Sequence, residues 1–280
     1  MRIPLFECLM DSWARCVSVG VFLLSLGLGV AAQTSTYAYR SDAFAYDTPS
    51  VAATSVTWHA SGASPACTQY PNGDDDWADI TFPAGFTFTF GGVNYSSVRA
   101  YSNGILAFGT DVSGFHRDFT PQALPITAAG AAYAGCANAV PSKLMIGYWV
   151  DIIAGTANGI TNASVKHELL TDGSGQKRFV ITWNNVALYG NSGTRYSFQI
   201  ALYSSLSGVN GNFRYQYTTG STTGLGAAVG VQLSTTDYTQ YVYNQNFIDT
   251  AVGTSILWYP ANQLAGKSAE YRFEIGRAHV

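Results

Sequence analysis

The chain has 280 residues, of which only 11% are Asp, Glu, Lys or Arg, and its formal net charge is −3. An average soluble domain carries about 25% charged residues, and with no Lys/Arg cluster this balance lacks the electrostatic footprint of a nucleic-acid binder. The 29 Gly, 18 Tyr and 15 Phe, set among abundant Ser and Thr, argue against a helical bundle and suit an exported β protein whose uncharged polar side chains do the solvating.

The N-terminus carries Arg2 and Arg15, an uncharged run CVSVGVFLLSLGLGVAA from Cys16 to Ala32, and then polar Gln33, Thr34 and Ser35. This pattern reads as a secretory signal over residues 1–32, cleaved between Ala32 and Gln33 behind the small residues Val30 and Ala32. The competing reading is a retained anchor, but the apolar run falls short of the roughly 20 residues a membrane span needs. No other segment is apolar enough to span a bilayer.

Strand-like alternation begins at once in the mature chain, at Thr36–Tyr46 and Val51–Trp58, and breaks over His59–Asp79, a loop that holds Cys67 and the acidic sequence NGDDDWAD. It resumes at Ile80–Phe82, Phe86–Phe90, Val93–Tyr101 and Ile105–Phe108, where Gly91-Gly92 and Asn103-Gly104 mark hairpins and period-two spacing buries one face of each strand. A second irregular region, Thr110–Ser142, holds Cys136. Eight more runs follow, at Leu144–Ile153, Ser164–Leu170, Lys177–Val186, Tyr196–Tyr203, Asn212–Thr218, Ala227–Leu233, Tyr238–Asn244 and Ser255–Tyr259. Turns are expected at Asp172-Gly173, Ser192-Gly193 and Asn210-Gly211. The expected fold is all-β, an antiparallel sandwich of about a dozen short strands with two long loops.

Signal cleavage would leave two cysteines, Cys67 and Cys136. In an oxidising compartment they pair most simply as a disulfide, closing a loop worth on the order of 4 kcal/mol by the chain-entropy argument; two free buried thiols are the alternative. In the acidic loop, Asp74, Asp76 and Asp79 are the candidate metal ligands, because alternating carboxylates on a turn offer hard oxygens to calcium. A solvated loop leading into the strand at Ile80 is the competing reading.

Catalytic patterns are thin. His59, His116 and His167 lack zinc spacing and GxSxG is absent, so no catalytic residue is assigned. Asp151 and Glu168 are the one carboxylate pair a glycosidase reading could use. Trp149 and Trp183 lie in apolar runs and are expected in the core, whereas Tyr238, Tyr241 and Tyr243 are surface candidates for stacking on a sugar. The closing residues EIGRAHV, Glu274 to Val280, read as an in-frame translation of a sequencing-library adapter, with a genuine short tail as the alternative. Ala269–Phe273 then opens a further domain.

Taken together, GFTFTFGGVNYSSVRAYSNGILAFG (Gly85–Gly109), YWVDI, FVITWNNV, YSFQIALY, FRYQY and VGVQ resemble a nidogen-type extracellular β domain. RSDAFAYDTPS, the two cysteines and the SILWYP to AEYRF ending bring the resemblance, over about Thr36 to Phe273, closer to MshQ-type proteins of the mannose-sensitive haemagglutinin type IV pilus gene set. The expected organisation is the signal peptide over 1–32, a nidogen-like sandwich over 33–268 implied by the resemblance, and the start of a truncated downstream domain plus the adapter-derived tail over 269–280. It also implies a non-catalytic interaction module in the periplasm, at the outer cell surface or outside the cell. Its partners would be an extracellular protein or a glycan, and other domains of the same longer chain. A carbohydrate-binding module is the second reading and a secreted glycosidase the third.

Overall fold

The computed structural model describes residues 35–59, 72–109, 115, 119–128, 140–218, 226–245 and 255–262. The signal segment, Cys67, Cys136, His116 and the residues after 262 lie outside them.

Alternating aromatic, β-branched and small residues form two packed antiparallel sheets and one small hairpin. The larger sheet runs, in spatial order, β1 (Tyr37–Asp42), β16 (Ser255–Pro260), β13 (Phe213–Tyr217), β12 (Asn191–Tyr203), β11 (Lys177–Leu188), β10 (Ser164–Thr171) and β2 (Thr54–Ser55), with β9 (Ile152–Ile153) also paired to β11. The smaller runs β15 (Tyr238–Gln245), β14 (Ala227–Gln232), β8 (Lys143–Trp149), β7 (Ile105–Phe108), β6 (Ser97–Tyr101) and β3 (Trp77–Thr81). The hairpin β4 (Phe88–Phe90) and β5 (Val93–Tyr95) stands apart from both. The fold is therefore the all-β sandwich expected from the sequence.

Between the sheets lies the main core, built on fully buried rings. Trp183 stacks on Phe198 with centroids 5.0 Å apart, and Trp258 stacks on Phe213 at 5.8 Å. Polar tips of these rings stitch one sheet to the other. Tyr215 donates to Gly230 O (2.8 Å), Tyr217 to Gly147 O (2.6 Å), and the Trp183 indole to Tyr101 O and Ser102 O (3.1 Å each). A buried hydroxyl or indole N–H left unpaired would be costly, so each such bond selects one sliding position of the sheets.

The outer faces are covered as well, which simple period-two alternation did not require. Over the smaller sheet, Phe115, Leu124 and Ile126 form a second cluster with Tyr101, Ile146 and Trp149, and the Gln232 amide brackets Ile126 through its N–H (2.7 Å) and C=O (3.1 Å). Over the larger sheet the covering layer is polar. Thr182, Gln199, Arg214, Gln216 and Ser255 are all buried, roofed by a strap over residues 43–50. Asp47 grips Arg178 bidentately (3.1 and 2.6 Å), Gln216 donates to Ala45 O (2.7 Å), and the Arg214 guanidinium lies 4.3 Å from the Phe44 ring centre. Turned so that both its ends are satisfied against the strap, the Gln199 side-chain amide accepts from Asp47 N and donates to Asp47 O, at 2.9 Å each. The Asp47 carboxylate, through its hydrogen bonds to Arg178, holds that guanidinium above its ordinary pKa.

Several expected boundaries move for this reason. The run Thr36–Tyr46 is strand only to Asp42, because the residues beyond leave the ladder to become the strap. In Val51–Trp58 only Thr54 and Ser55 pair. Val93–Tyr101 is two strands in different sheets, and Leu144–Ile153 crosses from β8 to β9. The β11–β12 hairpin turns at Tyr189-Gly190, with Gly190 at φ 73°, while Ser192-Gly193 lies within β12.

Asp47→Ala should lower unfolding free energy by about 2 kcal/mol, since it leaves the half-buried Arg178 guanidinium without its charged partner. In a domain of this size that is a Tm fall of roughly 4–8 °C, read by calorimetry against wild type; an unchanged Tm would contradict the strap's structural role.

Candidate functional site

The acidic loop NGDDDWAD folds against the end of β8. Asn72, Gly73 and Asp75 take positive φ (73°, 90° and 45°), which turns the chain sharply enough for Gly73 O to accept Ala154 N at 2.7 Å and for Asp74 to bridge Ile153. Gly73 has no substitute here, because a Cβ would lie 2.6 Å from Gly155 N and 2.7 Å from the Trp58 indole nitrogen. The facing wall is the Asn103-Gly104 hairpin. Gly104 sits at φ 82°, where a Cβ would lie 2.1 Å from Tyr148 O. That close approach aims Asn103, whose Oδ1 accepts Ile152 N (2.8 Å) and whose Nδ2 donates to Asp75 Oδ1 (2.9 Å).

Asp74, Asp75 and Asp151 converge here, each with a carboxylate oxygen within 4.8 Å of the others. Asp74 also accepts Asn158 Nδ2 at 2.6 Å. Of the residues expected from the sequence, only Asp74 belongs to this group. Asp76 is buried beside it but uses its oxygens on Trp77 N (2.8 Å) and Gly73 N (3.2 Å), which holds the loop's shape. Asp79 projects from β3 and pairs bidentately with Arg99 (2.8 and 2.9 Å), whose guanidinium rests 3.6 Å from the Trp77 ring centre. Glu168, on β10, accepts Ser50 N (3.1 Å) and Ser50 Oγ (2.7 Å); it and Asp151 occupy separate settings. His59 stacks on Trp77 at 4.1 Å and His167 lies against Phe179 at 5.4 Å. Asp75 and Asp151 were missed as partners of Asp74; the trace in the sequence is Asp151 directly following the buried run that ends β8.

The electrostatics follow from burial. Desolvation pushes Asp151 up to about 7, with the neighbouring Asp74 charge adding to the rise. It lifts Asp76 to about 6 against amide hydrogen bonds from Trp77, Gly73 and Asn72 and the nearby His59, and raises Asp74 against its bond from Asn158. Such a group either shares protons or faces a cation. Three carboxylates are part of the about six to eight oxygens that calcium takes.

Of the aromatic residues considered for sugar stacking, Tyr238 packs on the outer cluster of the smaller sheet and Tyr241 meets Tyr39 edge-on at 5.0 Å. Tyr243 is exposed, while Trp149 and Trp183 are buried in the core as expected.

Comparison with known families finds one match, to the family described as NIDO related, over residues 48–273. No curated protein and no solved structure matches the chain.

A carboxylate whose folded pKa exceeds its unfolded value stabilises the fold below the unfolded pKa and loses that contribution as pH rises through the folded one. For Asp151 the loss runs from about pH 4 to about pH 7. His167, depressed by burial, acts with the opposite sign and cancels when variant is compared with wild type. In buffer with EDTA, Asp151→Asn should therefore melt above wild type at about pH 8, with the gap shrinking toward about pH 4.5. A gap independent of pH would contradict the assignment, and calcium that raises wild-type Tm at about pH 8 but not that of the variant would identify the occupant as a cation.

Proposed function

Because the chain belongs to the NIDO-related, that is nidogen-related, family, we propose that it is a non-catalytic interaction module that works outside the cytoplasm, displayed at the cell surface in adhesion or type IV pilus biogenesis. The observation that carries this reading is the extent of the family match, which takes in every described strand from β2 to β16. Domains of this kind are extracellular interaction modules. The low charge and the signal-like N-terminus fit export, and RSDAFAYDTPS, the two cysteines and the SILWYP to AEYRF ending underlie the likeness to the MshQ-type pilus proteins. The carboxylate pair that a glycosidase reading could use, Asp151 and Glu168, is not brought together. Asp151 sits with Asp74 and Asp75, and Glu168 is engaged by Ser50.

The reading predicts a protein that a non-permeant protease removes from intact cells, and whose gene deletion lowers surface attachment or piliation without loss of any hydrolytic activity. Full protease resistance in intact cells, with release only on lysis into the cytosolic fraction, would contradict it.

A further inference from the structure

At the other end of β12 from the acidic group, the connection to β13 forms a small cleft of about 170 Å³ together with the turn before β11. Its lining side chains include Gln176, Tyr203, Ser205, Leu206, Asn210 and Asn212, and none of them is charged. We propose that this cleft holds one neutral sugar ring, a terminal hexose unit of a glycan. The proposal rests on the interaction-module reading and names the chemistry of its ligand.

The polar groups of the cleft are fixed, and their second valences are available. Ser205 Oγ accepts Thr89 N (2.9 Å), which leaves its own proton to donate. Asn210 Oδ1 accepts Gly92 N (2.8 Å), which leaves its amide N–H₂ as a donor. Gln176 Nε2 donates to Ser204 Oγ (2.9 Å), which leaves the side-chain carbonyl as an acceptor. Hydroxyl groups satisfy all three, since each can both donate and accept.

Size, charge and rim narrow the ligand further. A volume of about 170 Å³ equals roughly five or six waters, which suits one ring. With no charged lining, a phosphate or carboxylate would enter without a counter-charge. Apolar side chains surround the polar floor. Leu206 is 77% exposed and Val209 46%. These offer a surface to the C–H face of a sugar. A peptide main chain would find no ladder to join, because the local amides are engaged: Tyr203 N with Asn212 O, Ser204 N with Lys177 O, Ser205 N with Thr87 O and Gly211 N with Thr89 O.

The test is saturation-transfer NMR on the full chain with the methyl glycosides of glucose, galactose, mannose and N-acetylglucosamine at millimolar concentration. The expected result is ring-proton saturation from at least one of them, weakened roughly tenfold or more in Gln176→Ala and in Leu206→Asp. Gln176 and Leu206 are both exposed, so both variants should keep the wild-type Tm. No saturation from any glycoside, or saturation unchanged in both variants, would overturn the site. Protease accessibility on intact cells is read separately, so failure of the cleft would leave the interaction-module reading standing.

Discussion

The outer face of the larger sheet imposes the constraint on which the rest of the structure depends. Arg178, Thr182, Gln199, Arg214, Gln216 and Ser255 sit side by side on its central strands, and all but Arg178 are more than nine-tenths buried. Polar groups withdrawn from water are destabilising unless each finds a partner. The strap over residues 43–50 supplies those partners: a carboxylate for Arg178, a ring for Arg214, and main-chain groups for Gln199 and Gln216. Because the strap continues β1, its seating also places β1 beside β16 at the sheet's edge, where Thr239 Oγ1 of β15 donates to Tyr37 O (2.8 Å) and ties the two sheets together.

Sealing both outer faces limits where function can reside. Among the described residues, the sandwich interior is filled by aromatic rings and closed by hydroxyl bonds from sheet to sheet. What remains are the ends. The acidic group is tied to the start of β12 through Tyr189 N, which donates to Asp151 O at 3.0 Å, while the neutral cleft lies past its last residue. The 13 residues of β12 set the two about 40 Å apart at the usual rise per residue, one charged and buried, the other neutral and open.

The sequence disclosed the alternation and little of its consequences. Gly91-Gly92 and Asn103-Gly104 were legible as hairpins because a positive φ at glycine is a local demand, and Trp149 and Trp183 were legible as core from their apolar surroundings. The strap was not legible, since DAFAYDT continues the aromatic alternation of β1 and nothing local marks where pairing stops. Nor was the β11–β12 turn, where the pairing of Val186 with Tyr196 and Ala187 with Arg195 outweighed the Ser192-Gly193 signal. For the acidic site the composition showed where carboxylates were dense, and Asp74 was found. Its companion Asp151 lies 77 positions on in the chain, and such a meeting is fixed by the pairing of β7 with β8 and by the Asn103 bridge, both long-range. The neutral cleft left no sequence signal, because Ser, Asn and Gln in a turn look the same whether they bind a ligand or only water.

The most direct measurement is amide hydrogen exchange across the strap and the strands beneath it. If the strap completes the polar layer, Asp47 N–H should be protected to a degree comparable with the central amides of β12 and β13 and should open with them. Exchange at Asp47 within seconds, while β12 and β13 stay protected, would show that the sheet's outer face stands without its cover, and the account of the fold would be wrong at its foundation.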